Sequence, residues 1–282
     1  MTTIVAGAHT LPDLARRTEL GRDLGPWSTR ISSKGALLRE TLECLRFLTN
    51  SNGLDRLRQA VMQEDLLHKR TRESRLRCWH SLTWRYLWPP GNPVARSLVA
   101  LARNPGMDMI LRGAIFYHHC LADHITYDVA TGLLWRLEET GRREVSVADI
   151  EGYVVESMRI HPEVGKWAAA TRRKVAHSIS AALRDFGRLE GKVRKRLARP
   201  AIPSELLLYV AHFLRDEGRS AREILFSPDY RLWGQGPEEL ARAFRQEAAR
   251  GTIRFEWTGN AVILDLGTGT FDAYAQRLGS QV

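Results

Sequence analysis

The feature that most limits the folds open to this chain is an apolar spacing of three and four residues, repeated from position 34 onward and cut at intervals by Pro, Gly and Asn. Leu37, Leu38, Leu42, Leu45 and Leu48 keep that spacing until Asn50-Ser51-Asn52-Gly53, so they form the inward stripe of one helix. Helices follow over 54–65 and 71–87, the second opened by Thr71 as N-cap and closed by Pro89-Pro90-Gly91. More apolar helical blocks over 94–103 and 107–140, parted by Asn104-Pro105-Gly106, make the expected central core. Ser146 then caps a helix over 147–158, His161-Pro162 breaks it, and a long helix spans 171–186 with Gly187 just past its end.

Two stretches leave the helical period. Residues 188–199 alternate loosely around Gly191 before Pro200, which suits a strand, a turn and a second strand: a wing-like hairpin after a helix. The last third repeats the theme, with helices over 204–217 and 237–250 ahead of strands over 252–257 and 261–266 around Thr258-Gly259-Asn260. The tail after Gly267 is expected to fray or to pack as a short end. The predicted fold is mainly α, with two helical regions, winged-helix-like units and short β-hairpins. Its predicted partition is an extended arm (1–33), an N-terminal helical domain (34–144), a winged-helix-like basic unit (145–203) and a C-terminal helical unit closed by a hairpin (204–282).

Charge narrows the function. The 42 Lys and Arg against 32 Asp and Glu leave a formal +10, most of the cations being arginine, whose planar fork suits phosphate. Residues 171–199 hold ten basic side chains against Asp185 and Glu190, most of the excess of the whole chain. With Val175, Ile179, Leu183 and Phe186 facing inward, Arg172, Arg173, His177 and Ser180 fall near the outward face, beside Lys174, where a recognition helix would present side chains to DNA. Arg188, Lys192, Arg194, Lys195 and Arg196 would follow on the wing, against flanking phosphates. A second cluster, Lys69, Arg70, Arg72, Arg75 and Arg77, opens the 71–87 helix and is expected to line the same groove. Solvated surface charge is the competing reading of the first cluster, and inter-domain ion pairing that of the second.

Other chemistry is poorly served. His118-His119-Cys120 with Asp123, His124 and Asp128 offers ligand types, but Tyr117, Leu121 and Ile125 must face inward there, so the histidines read as packed or hydrogen-bonded and no metal is expected. Asp265-Leu266-Gly267-Thr268-Gly269-Thr270 lacks the G-x-x-x-x-G-K-[ST] lysine, and there is no nucleophile elbow or H-E-x-x-H helix, so neither catalytic residues nor a cofactor are expected. Cys44, Cys78 and Cys120 lie in apolar helical patterns without metal-finger spacing and read as reduced core residues. No signal-peptide pattern opens the chain and no apolar run reaches about 18 residues, so a cytoplasmic protein that does not span a membrane is expected.

An ordered set of short matches adds a family. Lys34-Gly35-Ala36-Leu37-Leu38-Arg39-Glu40 comes first, then Glu64-Asp65-Leu66-Leu67-His68-Lys69-Arg70-Thr71 leading into the arginine-rich helix that ends Arg85-Tyr86-Leu87. Trp167, Thr171 to Lys174, Phe186-Gly187 and Ile224-Leu225-Phe226 follow. Together they resemble the BrxA family, a small component of BREX bacteriophage-defence systems. The resemblance implies two helical regions, similar in part to the NusB antitermination fold and to winged helices. It also implies binding of double-stranded DNA without enzymatic activity, beside other BREX components such as a methyltransferase or an ATPase. RNA binding of the NusB kind, or a scaffold docking an acidic partner, are the rival readings.

Overall fold

Each apolar stripe needs a second surface to bury against, and in the computed structural model, which describes residues 18, 20–23, 25–50, 53–192 and 194–281, helices supply nearly all of them. A one-turn helix α1 (Ile31–Lys34) leads into α2 (Leu38–Thr49), α3 (Leu54–Gln63) and α4 (Arg72–Leu82). Thr71 caps α4, its Oγ1 accepting from the Ser74 amide at 3.1 Å, and the helix widens into a π-turn at Thr83–Leu87 before the proline stop. Asn92 caps α5 (Pro93–Ala102), whose proline sits in the first turn, where a missing N–H leaves no bond unmade.

The block expected to run unbroken over 107–140 is cut at Asp123, whose φ −132° and ψ 83° are not helical. The result is α6 (Asp108–Ala122), α7 (His124–Asp128), a π-stretch at Val129–Leu134 and α8 (Trp135–Glu139). Asp123 makes the break by starting a new helix: its carbonyl accepts from the Thr126 and Tyr127 amides and its carboxylate from Thr126 Oγ1 at 3.0 Å.

Next come β1 (Glu144–Val145), α9 (Val147–Glu156) with a Ser146/Asp149 capping box, two short 3₁₀ turns, and α10 (Ala169–Asp185). β2 (Leu189–Glu190) and β3 (Lys195–Leu197) form the hairpin expected over 188–199, and β1 joins it on the far side of β3 as a third antiparallel strand. The last third is α11 (Ser204–Asp216), α12 (Ala221–Leu225), α13 (Pro237–Ala249) and the hairpin of β4 (Arg254–Thr258) with β5 (Ala261–Asp265). Thr258 pairs with Ala261, so it belongs to the strand and Gly259-Asn260 alone make the turn.

The tail does not fray. Thr270 caps α14 (Phe271–Ser280), which buries Phe271, Ala275 and Leu278 and packs on α5 and α11. The approach is close enough that a Cβ at Gly279 would stand 2.2 Å from the Ala100 carbonyl oxygen. The glycine-rich loop before it is a lead-in to that cap: Asp265 Oδ1 accepts from the Gly267 amide, and the Gly267 and Gly269 carbonyls accept from Arg215.

One hydrophobic core runs from Trp27 to Leu278, across all three inner boundaries of the expected partition. Of the expected arm, residues 1–17 lie outside the described residues, and the part that is described lies docked. The Asp23 amide donates to the Leu121 carbonyl at 2.7 Å, and Trp27, 3% exposed, stacks on His161 and donates its indole N–H to Asp128 at 2.8 Å. Arg22 binds Glu217 and Asp229 through paired hydrogen bonds, and the Tyr117 and Tyr127 hydroxyls each donate to Asp229 at 2.6 Å.

Arg22→Ala strands two carboxylates in this network, so it should cost about 3–5 kcal/mol in denaturant unfolding followed by circular dichroism; a loss below about 1 kcal/mol would show the network to be dispensable. Asp123 gives a prediction of opposite sign. Burial pushes its carboxyl up to about 6, against a smaller lowering by Arg85 and the Thr126 hydrogen bond. The ionised form is therefore disfavoured in the fold, at a cost complete above pH 6 and relieved as pH falls toward the ordinary aspartate range. Asp123→Asn, which keeps an acceptor for Thr126, should be more stable than the parent by about 2–3 kcal/mol at pH 8 and equal to it near pH 4.

Candidate nucleic-acid interface

α10 is packed by α9 on one flank and by α1 on another, so its buried arc is wider than a single stripe. Val175, Ile179 and Leu183 face the core as the spacing predicts, but Ala176, Ser180 and Ala182 join them. Ser180, expected outward, is 1% exposed and its Oγ has no hydrogen-bond partner among the described residues. The face left to solvent carries Ala170, Arg173, Lys174, His177 and Arg184, the first four at i, i+3, i+4 and i+7. Arg173 makes one long contact with Glu151 at 3.4 Å and stays 70% exposed, whereas Lys174 and His177 have no partner among the described residues. Arg172 turns back to donate to the Trp167 carbonyl and is half-buried.

The hairpin sorts its cations by strand register. Arg196 stands opposite Glu144 on β1 and Glu190 on β2, so a cation lies between two exposed carboxylates on one face of the sheet. Lys195 is on the other face, across from Val145, where burial and the neighbouring Arg184 hold its ammonium below the ordinary lysine value. Lys192 and Arg194 are exposed at the turn with no counter-ion among the described residues. The four wing cations therefore do not share one face.

Arg188 leaves the expected set. It follows Gly187, whose φ of 78° turns the chain under the sheet, and its side chain is 0% exposed, hydrogen-bonded to Glu138 at 3.0 Å and to the Ala198 carbonyl. Burial and Arg199 lower its pKa and Glu138 raises it, with a net fall. Its charge is part of the core, and no phosphate can reach it without unfolding the hairpin.

The α4 cluster is largely compensated. Lys69 pairs with Glu40 and Arg77 with Glu73, while Arg75 binds Asp65 at 3.2 Å and the Lys69 and Met62 carbonyls. Arg70 and Arg72 are exposed and have no ion partner among the described residues. α1 touches both α4 and α10, and Lys34 Nζ donates to Ser74 Oγ at 2.9 Å. The groove beside α10, about 660 Å³, is lined instead by the start of α2, including Arg39, Glu43 and Arg46, with Arg112, Ala181 and Asp185. None of the α4 arginines lines it.

The histidine-rich stretch is packed. His118 Nε2 shares a 2.6 Å hydrogen bond with the Tyr209 hydroxyl, His119 is buried against Phe186 with its pKa pushed well down by burial, and His124 bridges the Gly25 carbonyl and Asp128. Among the described residues no three His, Cys, Asp or Glu side chains converge as metal ligands would. Trp27, Trp79 and Trp233 are buried and the other tryptophans half-buried. Among the described residues no helix is long and apolar enough to cross a membrane.

These features define a mainly helical protein with exposed cations that lack counter-ions, among the described residues, on α10 and the hairpin behind it as well as at scattered positions such as Arg58, Arg70, Arg72, Arg103 and Arg245. The chain belongs to the BrxA family, a BREX-associated family not known as an enzyme family, whose model matches residues 25–212. No curated protein matches it. Among solved structures, an uncharacterized protein from Magnetospirillum magneticum is similar in fold, with a TM-score of 0.52 at 20% identity over 69% of this chain and 94% of that one.

Arg188→Met, which leaves Glu138 with only the partly exposed Arg199, should lower the stability by about 3 kcal/mol and the thermal midpoint with it. Lys174→Glu and Lys192→Glu, made on exposed positions, should move stability by no more than about 0.5 kcal/mol. Thermal unfolding by circular dichroism separates the two groups.

Proposed function

We propose that this protein is a cytoplasmic, non-enzymatic accessory component of a BREX system that binds double-stranded DNA through α10 and the β2–β3 hairpin. The observation that carries the reading is the contrast in compensation. Buried and inter-element arginines are paired, whereas Lys174, His177, Lys192 and Arg194 are exposed without partners among the described residues. A polyanion neutralises the charges of Lys174, Lys192 and Arg194 and releases its condensed counter-ions, which favours association strongly at moderate salt.

The order β1, α9, α10, β2, β3, with β3 between the other two strands, is compatible with a winged helix and supports reading α10 as the recognition helix and the hairpin as the wing. Ala170 at the start of the exposed face is small enough to let the helix approach a base edge, and Arg173, Lys174 and His177 follow on the same face. Arg70 and Arg72 add a peripheral phosphate contact. Most contacts go to phosphates, so sequence preference is weak. In the defence system the protein helps a methyltransferase or ATPase partner engage DNA.

The test is fluorescence anisotropy of labelled duplex DNA, matched RNA and single-stranded DNA at several salt concentrations. Replacing Lys192 and Arg194, the exposed hairpin cations without counter-ions among the described residues, with glutamate should weaken duplex binding by about tenfold or more at moderate salt and flatten the salt slope, with the helical spectrum unchanged. Unaltered duplex affinity in that variant would move the site elsewhere, and tighter binding of RNA than of duplex DNA would favour the NusB-like reading.

A further inference from the structure

The backbone of the hairpin behind α10 comes close to itself at Gly191. Gly191 has a φ of 94°, and a Cβ placed on it would stand 2.2 Å from the Arg194 carbonyl oxygen, so a side chain at 191 has no room there. Each paired arm is two or three residues long, and the strand register leaves different surroundings to its cations. Arg196 lies between Glu144 and Glu190, and Lys195 is on the opposite face beside Val145 and Arg184. Arg194 is therefore the one hairpin guanidinium, among the described residues, that is both exposed and unmatched by a cross-strand carboxylate.

An exposed arginine without a cross-strand carboxylate in the turn of a short hairpin fits one feature of duplex DNA. The minor groove is about 6 Å wide and narrows further along A-tracts, where its negative potential deepens. Guanidinium is less strongly hydrated than ammonium, so it gives up water more readily on entering such a groove.

We infer that the β2–β3 hairpin reads minor-groove width through Arg194, so that the protein selects duplexes carrying an A-tract beside the stretch covered by α10. The inference rests on the duplex-binding reading and goes beyond it by assigning a shape preference to one side chain. It needs no hydrogen bond to a particular base, which is consistent with a surface whose other contacts are to phosphates. Lysine at 194 keeps the charge and loses the selection.

The experiment compares two labelled duplexes of equal length with the same centre, one flanked by an A-tract and the other by mixed sequence containing TA steps, bound by the full chain and by Arg194→Lys. The parent should bind the A-tract duplex about fivefold or more tightly than the other, and netropsin, which occupies narrow A·T minor grooves, should remove the difference. Arg194→Lys should keep the parent's salt slope and bind both duplexes equally. Equal binding of both duplexes by the parent, or a preference that survives Arg194→Lys or netropsin, overturns this inference and leaves duplex binding intact. Failure to bind either duplex overturns both.

Discussion

Arg22 comes from the segment ahead of α1, yet it completes the polar centre on which three other parts of the chain converge. Tyr117 and Tyr127 come from α6 and α7, Glu217 from the end of α11, and Asp229 from the turn between α12 and α13. Asp229 is 2% exposed, and burial alone would push its carboxyl up. Arg22 and the two tyrosine hydroxyls outweigh that and hold it below the ordinary aspartate value. A buried carboxylate is tolerated only where charge and hydrogen bonds replace the water it has lost. The network thus lets the last third of the chain dock on the central helices, with the N-terminal segment as the clasp.

The same segment continues toward the proposed interface. Past Arg22 it buries Trp27 against His161, just before α10, and then sends Ile31, fully buried, into the helix α1 that packs on α10 itself. The exposed face of α10 is consequently set from behind by residues that touch no ligand. A recognition helix gains from that arrangement, because charge presented on a rigid element loses less side-chain and backbone freedom on binding than charge on a mobile one.

Basic side chains serve two opposite ends in this molecule. Arg22, Arg85 and Arg188 are buried or nearly so, each bonded to carboxylates or carbonyls, and hold distant elements together. Lys174, His177, Lys192 and Arg194 stand outside that system. The overall charge of +10 mixes these populations, which is why composition points to a polyanion without saying which cations would meet it.

Much of the architecture was legible in the chain. Capping residues such as Thr71 and Ser146, proline stops and three-to-four spacing fixed most helices, because backbone satisfaction at a helix end is a local matter. The hairpin over 188–199 was visible from its alternation. α14 was not, although Thr270 and the spacing of Phe271, Ala275 and Leu278 signal it; the two glycines before the cap disguised a helix as a tail. The basic character of α10 and its hairpin was likewise written in sequence. Which of those cations are available was decided by tertiary structure alone: Arg188 is drawn inside because Glu138, fifty residues earlier, is there to bind it, just as Ser180 is covered on a helix packed by both α1 and α9. Periodicity assigns a residue to a face of its own helix, but a charge becomes spent or free only when another part of the chain does or does not bring a partner to it.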